Sequence, residues 1–97
     1  MEVRVQAIHF EIADRLSTFI NKKAERLARH NTSISTVDVN LRVVKPETAM
    51  NKEATIQVSV PQHDDLAASK TANTFEEAVD LAIDAIDKQL EKKKERR

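Results

Sequence analysis

Several residue types are missing from this 97-residue chain, and each absence excludes a kind of site. There is no cysteine, so disulfides and thiolate metal sites are excluded, and nothing argues for an oxidising compartment. There is no glycine, so glycine-rich phosphate loops and dinucleotide-binding fingerprints cannot form. No apolar run approaches the roughly 18 residues of a membrane span, and the N-terminal segment lacks the apolar core of a signal peptide. We therefore expect a cytoplasmic protein with no membrane partner.

Aromatic residues are nearly absent as well. The chain contains no Trp or Tyr and three Phe, so few aromatic rings are available to stack with nucleic-acid bases. Charged residues are plentiful and balanced, with 16 basic and 16 acidic side chains and a formal net charge of +0. Any nucleic-acid partner would therefore have to be held mainly by its backbone phosphates.

Hydrophobic periodicity predicts one domain, residues 1–97, with the element order β-α-β-β-β-α. Alternation of apolar and polar residues predicts strands over 2–8, 35–44, 54–60 and 66–72, with a polar loop over 45–52 that contains Pro46. Apolar spacings of three and four predict helices from 12 to about 29 and from 74 to 97. The order predicts an α+β fold: a four-stranded mixed sheet, its first two strands parallel, with two helices packed on one face. From about residue 92 the last helix has no apolar partners and is expected to fray.

The two predicted helices differ in how well they are capped. Thr74-Phe75-Glu76-Glu77 is a capping box, in which a hydroxyl and a carboxylate satisfy otherwise unpaired backbone N–H groups. The first helix has only Ala13 near its start, and alanine offers no side-chain acceptor. The start of the last helix is therefore the firmer of the two predictions.

Basic residues form two groups, one on each helix. Arg15, Lys22, Arg26 and Arg29 are spaced so that they fall within about 60° of one another on a helix, and Lys23 lies beside them. The second group, near the end of the chain, comprises Lys88, Lys92, Lys93, Lys94 and Arg96. Either group alone is readily explained as a solvated helix face or a charged tail. If the helices lie side by side, both groups border a shared groove, and this arrangement favours contact with nucleic-acid phosphates.

Acidic and nucleophilic residues give no sign of catalysis. Asp80, Asp84, Asp87 and Glu91 are best explained as a solvated helix face, with Asp84 supporting Lys88 one turn later. The three histidines are far apart in sequence and have no second ligand at metal-binding spacing, and no serine lies in a nucleophile-elbow context. We therefore expect no enzyme activity, no metal or other cofactor and no small-molecule substrate.

Several segments, taken in order, resemble the short ribosome hibernation-promoting factors, also called ribosome-associated inhibitors. Glu11-Ile12 is followed by Leu16, Phe19 and Ile20 as in the opening of that family, and Arg26-Leu27 and Ala68-Ser69 match short pairs further along. The segment 78–96, AVDLAIDAIDKQLEKKKER, is similar to the last helix of the family. Where relatives often have Asp-Met-Tyr at the start of that helix, this chain has Thr74-Phe75-Glu76.

The resemblance implies the same β-α-β-β-β-α fold and a concrete activity. Members bind the small ribosomal subunit in the mRNA and tRNA channel, held by basic helix residues against ribosomal RNA, and so inhibit translation and preserve idle ribosomes. Arg26, Arg29, Lys88, Lys92 and Lys94 match basic positions of the family. Lys22, Lys23, Lys93 and Arg96 are added from the charge pattern of this chain. We expect the free protein to be a monomer.

Two other functions remain as alternatives. The acidic helix face or the open sheet face would serve a protein-interaction module, and a generic RNA-binding protein would bind free RNA as well as ribosomal subunits. Nuclease treatment of captured complexes separates the first alternative from RNA binding. Binding to free RNA separates the second.

Overall fold

The computed structural model describes residues 1–8, 10–44 and 49–95, with side chains described through Lys92. The elements follow the predicted order: β1 (Glu2–Ala7), α1 (Asp14–His30), β2 (Thr36–Val43), β3 (Lys52–Ser59), β4 (Leu66–Ala72) and α2 (Phe75–Glu95). The predicted loop over 45–52 lies partly outside the described residues, and its last residue, Lys52, begins β3. Arg96, at the predicted end of the last helix, also lies outside them. The fraying predicted from about residue 92 stays a prediction.

The four strands form one mixed sheet in the order β1-β2-β3-β4. β1 runs parallel to β2, with Val3 opposite Val37 and Val5 opposite Val39. β2, β3 and β4 form an antiparallel meander, as the short connections between them predict. The sheet therefore confirms the predicted α+β architecture, including the parallel first pair.

Both helices cover the same face of the sheet, and the core lies between the two layers. Ile20 and Ile86, one from each helix, are 1% and 0% exposed, and Ile56 at the centre of the sheet is fully buried. The strand positions that alternate with these apolar residues are polar and lie on the uncovered face. Each inward side chain removes apolar surface from water, which is the main stabilising term for a domain of this size.

Helix ends show where the sequence prediction was right and where it was wrong. α1 begins at Asp14 rather than Ile12, because Ala13 has an extended backbone (φ −66°, ψ 150°) and no side-chain cap. At the start of α2 the Glu77 N–H donates to the Thr74 hydroxyl at 3.1 Å, which confirms the Thr74 half of the capping box. The reciprocal bond, from the Thr74 N–H to the Glu77 carboxylate, is not made between these two described residues.

The absence of glycine has a consequence at two turns. Met50 and Gln62 have positive φ values of 54° and 68°, in the left-handed region that normally favours glycine. A side chain in this region costs roughly 1–2 kcal/mol. At the first turn the Met50 N–H donates to the Asn73 side-chain oxygen at 2.9 Å, and this bond helps to hold the unfavourable conformation.

Candidate nucleic-acid interface

The side of α1 that faces away from the sheet presents a row of cations. Lys22, Arg26 and Arg29 are all exposed, and none of them makes an ion pair with any other described residue. They lie between the middle and the end of α1, with Arg29 and His30 in its final turn. Cations near a helix C-terminus are favoured by the helix dipole, so this placement stabilises the helix while it concentrates positive charge. We call Lys22, Arg26 and Arg29 the α1 cation row.

Lys23, predicted as a fourth member of this surface, is used differently. Its Nζ lies 2.8 Å from the Asp80 Oδ1 of α2, and its side chain is 26% exposed. The same Nζ lies 5.5 Å from the centroid of the Phe19 ring one turn earlier, within the range of a cation–π contact. Lys23 therefore joins the two helices, and its charge is largely satisfied inside the molecule.

The groove between the helices is not the doubly basic groove that the sequence predicted. Its α1 side is lined by Lys23, Arg26, Leu27 and His30, but its α2 side is lined by Asp80, Ile83, Asp84 and Asp87. The acidic residues of α2, expected to be a solvated face, are turned toward the cations of the neighbouring helix, although the Asp80 and Asp84 side chains keep 59% and 64% exposure. The buried apolar stripe of α2 fixes which side of the helix lies beside α1, and the periodicity of one helix does not show which neighbour that side meets.

The basic residues of α2 lie beyond that acidic stretch. Lys88 is 71% exposed and its Nζ lies 3.2 Å from the Asp84 Oδ2, as predicted for residues four apart on a helix. Lys92 is exposed. Lys93 and Lys94 lie on the helical backbone past the last described side chain, and Arg96 lies outside the described residues. Among the predicted site residues, the structure thus brings Lys22, Arg26 and Arg29 together and separates them from Lys88 and Lys92 by carboxylates.

All three phenylalanines are engaged inside the molecule. Phe10 and Phe75 stack with ring centroids 4.9 Å apart, and Phe19 lies under Lys23. Each of them packs partly buried against the core. The Phe10–Phe75 contact joins the segment before α1 to the first turn of α2. This use of the rings agrees with a surface that binds phosphates rather than bases.

The outer face of the sheet also carries arginines, but these are paired. The Arg4 Nε donates to the Glu2 Oε1 at 2.9 Å and lies on the same face as Asp38, and the Arg42 Nε donates to the Glu53 Oε1 at 2.6 Å. The hydrogen bond from Arg4 lowers the pKa of Glu2, and the hydrogen bonds to Glu2 and Glu53 raise the pKa values of the two guanidinium groups.

Three of the neutral side chains on this outer face are paired too. Thr55 and Ser69 share a hydrogen bond of 3.0 Å between their hydroxyls, and the Gln57 amide donates to Asp65. A face whose polar groups satisfy one another attracts phosphate weakly. It also offers little to the protein-interaction module that the sequence left open.

The described residues were also compared with what a metal site and a membrane span require. His30 ends α1 and His63 lies in the turn after β3, while His9 lies outside the described residues. Within residues 1–8, 10–44 and 49–95, no set of three or more His, Cys, Asp and Glu side chains is placed to hold a metal ion. In the same ranges, no helix combines the length and hydropathy that a bilayer span requires.

The fold and this surface define a small α+β domain with a concentrated cation row on one helix. The family model described as "Sigma 54 modulation protein / S30EA ribosomal protein" matches residues 3–97, and the chain belongs to that family. Two similar relatives are named ribosome hibernation promoting factor. The one from Azotobacter vinelandii is 31% identical over 96 residues, covering 99% of this chain and 85% of the relative. The one from Pseudomonas putida is 29% identical over 102 residues, covering 99% and 89%.

Solved structures agree on the fold. A ribosomal subunit interface protein from Coxiella burnetii superposes with a TM-score of 0.86 at 21% identity, covering 99% of this chain and all of that one. The N-terminal domain of Thermus thermophilus Protein Y gives a TM-score of 0.78 at 22% identity, covering 95% of this chain and 98% of that one. Family membership confirms the resemblance seen in the sequence, and with it the prediction of a ribosome-associated protein that is not an enzyme.

Proposed function

We propose that this protein is a cytoplasmic ribosome hibernation factor that binds the small ribosomal subunit as a monomer. It occupies the channel used by mRNA and tRNA, contacts ribosomal RNA phosphates with its basic helix residues, and so blocks initiation and preserves idle ribosomes. The names of the two relatives support the hibernation role. The single observation that carries the RNA contact is the α1 cation row, whose three members are exposed and make no ion pair with a described residue.

Physical chemistry supports phosphate as the ligand of that row. An unpaired guanidinium donates to phosphate oxygens in a fixed two-pronged geometry, and two of the three members are arginines. Lys88 and Lys92 extend the positive surface on α2, and Lys93, Lys94 and Arg96 continue it along the chain. About six phosphate contacts, at a slope near −0.7 each, predict that affinity falls roughly 300-fold between 50 and 200 mM salt.

The location on the ribosome is tested with purified subunits. Labelled protein is sedimented through sucrose gradients with small subunits, with large subunits, and with small subunits preloaded with mRNA and initiator tRNA. We expect the protein to travel with free small subunits, to be excluded by mRNA and tRNA, and to inhibit initiation in a translation extract. Sedimentation with large subunits, or binding that mRNA and tRNA do not reduce, would contradict the proposal.

The same assay separates the two alternatives. A protein-interaction module would keep its captured partners after nuclease treatment, and a generic RNA-binding protein would bind free RNA of unrelated sequence as tightly as the small subunit. The structure favours neither alternative. The outer sheet face is internally paired, and the acidic side chains of α2 are turned toward Lys23, Lys88 and Asn31 of the same chain.

A further inference from the structure

Lys23 of α1 and Asn31, which caps the end of α1, each make a polar contact with a carboxylate of α2. The Lys23 Nζ lies 2.8 Å from the Asp80 Oδ1, and the Asn31 amide donates to the Asp87 Oδ1 at 3.4 Å. Asn31, at the end of α1, is 5% exposed and also donates to the Leu27 carbonyl oxygen at 3.1 Å. Asp80 and Asp87 are two helical turns apart, so one face of α2 presents acid along the whole groove.

Lys23 stands apart from the α1 cation row in both burial and partners. Lys22, Arg26 and Arg29 are exposed, whereas Lys23 is 26% exposed and lies between Asp80 and the Phe19 ring. Its ammonium group is therefore already occupied by an anion of the same molecule. An RNA phosphate approaching Lys23 has to displace the Asp80 carboxylate and then remain close to it.

The groove itself is unsuited to phosphate. It has a volume of about 130 Å³, and its α2 wall carries Asp80, Asp84 and Asp87. Three carboxylates along one wall repel a phosphate that would otherwise be drawn by Arg26 on the opposite wall. The more favourable path for an anion is thus the outer side of α1, where Lys22, Arg26 and Arg29 make no ion pair with a described residue and Glu25 is the one carboxylate that lines the same depression.

We infer that the acidic side of α2 keeps RNA out of the interhelical groove and that Asp80 limits RNA affinity by neutralising Lys23, which lines the same surface depression as the cation row. Lys23 is then a positioning residue that ties the helices together, and the RNA backbone follows the cation row alone. This inference rests on the proposed RNA contact and names how that contact is regulated. It assigns opposite effects to two charges on the same surface, because loss of Asp80 strengthens binding and loss of Arg26 weakens it.

The first test replaces Asp80 by Asn, which keeps the size of the side chain and removes its negative charge. Asp80→Asn releases Lys23 and removes a repelling charge, so we expect small-subunit affinity to rise about five- to tenfold, the gain of about one charged contact. The salt slope should steepen by about 0.7. Glu11→Gln is the matched control, because Glu11 is exposed, lies in the segment that precedes α1, and loses the same charge. It should change affinity less than about twofold.

The second test is a double-mutant cycle with Lys23→Gln. In the wild-type background this change should alter affinity less than about twofold, because Lys23 is already paired. In the Asp80→Asn background it should remove most of the gain. The inference is overturned if Asp80→Asn binds like the wild type, or if Lys23→Gln alone weakens binding as much as Arg26→Gln.

Elution from immobilised heparin, measured for the same variants, separates this inference from the proposed function. Heparin reports the anion-binding face without any ribosome, and Asp80→Asn should elute at higher salt than both the wild type and Glu11→Gln. If that shift is seen while no variant binds small subunits, the role of Asp80 stands and the ribosomal function fails. If no shift is seen while the wild type binds small subunits, the ribosomal function stands and the role of Asp80 fails.

Discussion

The α1 cation row and the outer face of the sheet both carry exposed arginines. The arginines differ in whether a carboxylate of the protein pairs with them. On the sheet, Arg4 and Arg42 each donate to a carboxylate on the same face, at 2.9 and 2.6 Å. On α1, Arg26 and Arg29 are also exposed to solvent but make no ion pair with a described residue. The difference teaches that the number of cations on a face does not show how many of them are free of partners within the protein. We expect the number without a partner to decide which face attracts RNA.

The largest expected effect comes from removing two arginines from each face in turn. Arg26→Gln/Arg29→Gln should weaken small-subunit binding about 100-fold, at about 1.5 kcal/mol per lost charged contact. Arg4→Gln/Arg42→Gln removes the same charge from the paired face and should change affinity less than about twofold. Fluorescence anisotropy with labelled protein and small subunits measures both. Equal losses in the two variants would mean that total charge, and not the unpaired row, drives binding.

A smaller effect is expected in the dependence of binding on salt. Each phosphate contact releases counterions, so Arg26→Gln/Arg29→Gln should reduce the slope of log affinity against log salt by about 1.4. The sheet variant should keep the wild-type slope. Titrations at four salt concentrations between 50 and 200 mM resolve this difference. A helix variant that loses affinity at an unchanged slope would indicate that these arginines contact something other than phosphate.

The smallest expected effect is on thermal stability. Here the substitution on the sheet should have a larger effect than the substitution on α1. Arg42→Gln leaves the carboxylate of Glu53, whose side chain is 18% exposed, without its cation, so we expect the melting temperature to fall by about 2 °C. Arg26→Gln removes no ion pair between described residues and should leave the melting temperature within about 1 °C. Thermal unfolding followed by circular dichroism measures both. A larger drop for Arg26→Gln would show that Arg26 is part of the interhelical contact.

Much of the fold could be predicted from the sequence, because it depends on local patterns. β4 was predicted over 66–72 and is found at those residues, and Thr74 caps the last helix as expected. The start of α1 was placed two residues early, because Ile12 fits the helical period but Ala13 provides no cap and stays extended. The connections that contain Met50 and Gln62 were predicted, but their positive φ values were not, since positive φ in a chain without glycine has no clear sequence signal.

The candidate site was predicted less completely than the fold. Spacing along one helix identified the α1 cation row, because residues that share a face recur every three or four positions. It grouped Lys23 with that row and predicted a groove that is basic on both sides, and the structure shows Lys23 paired to Asp80 across an acidic wall. Partners on different elements have no fixed sequence separation, so no local pattern reveals them.

The sequence by itself determined the element order, the inward faces of the strands and helices, and the stripe of cations on α1. These follow from backbone geometry, which fixes a period of two in strands and 3.6 in helices. Only the tertiary structure decided which charges are neutralised within the protein and which remain available to a partner. The physical reason is that an ion pair acts over a few ångströms, and the packing of α1 against α2 brings Asp80 that close to Lys23 and leaves Arg29 without such a neighbour among the described residues.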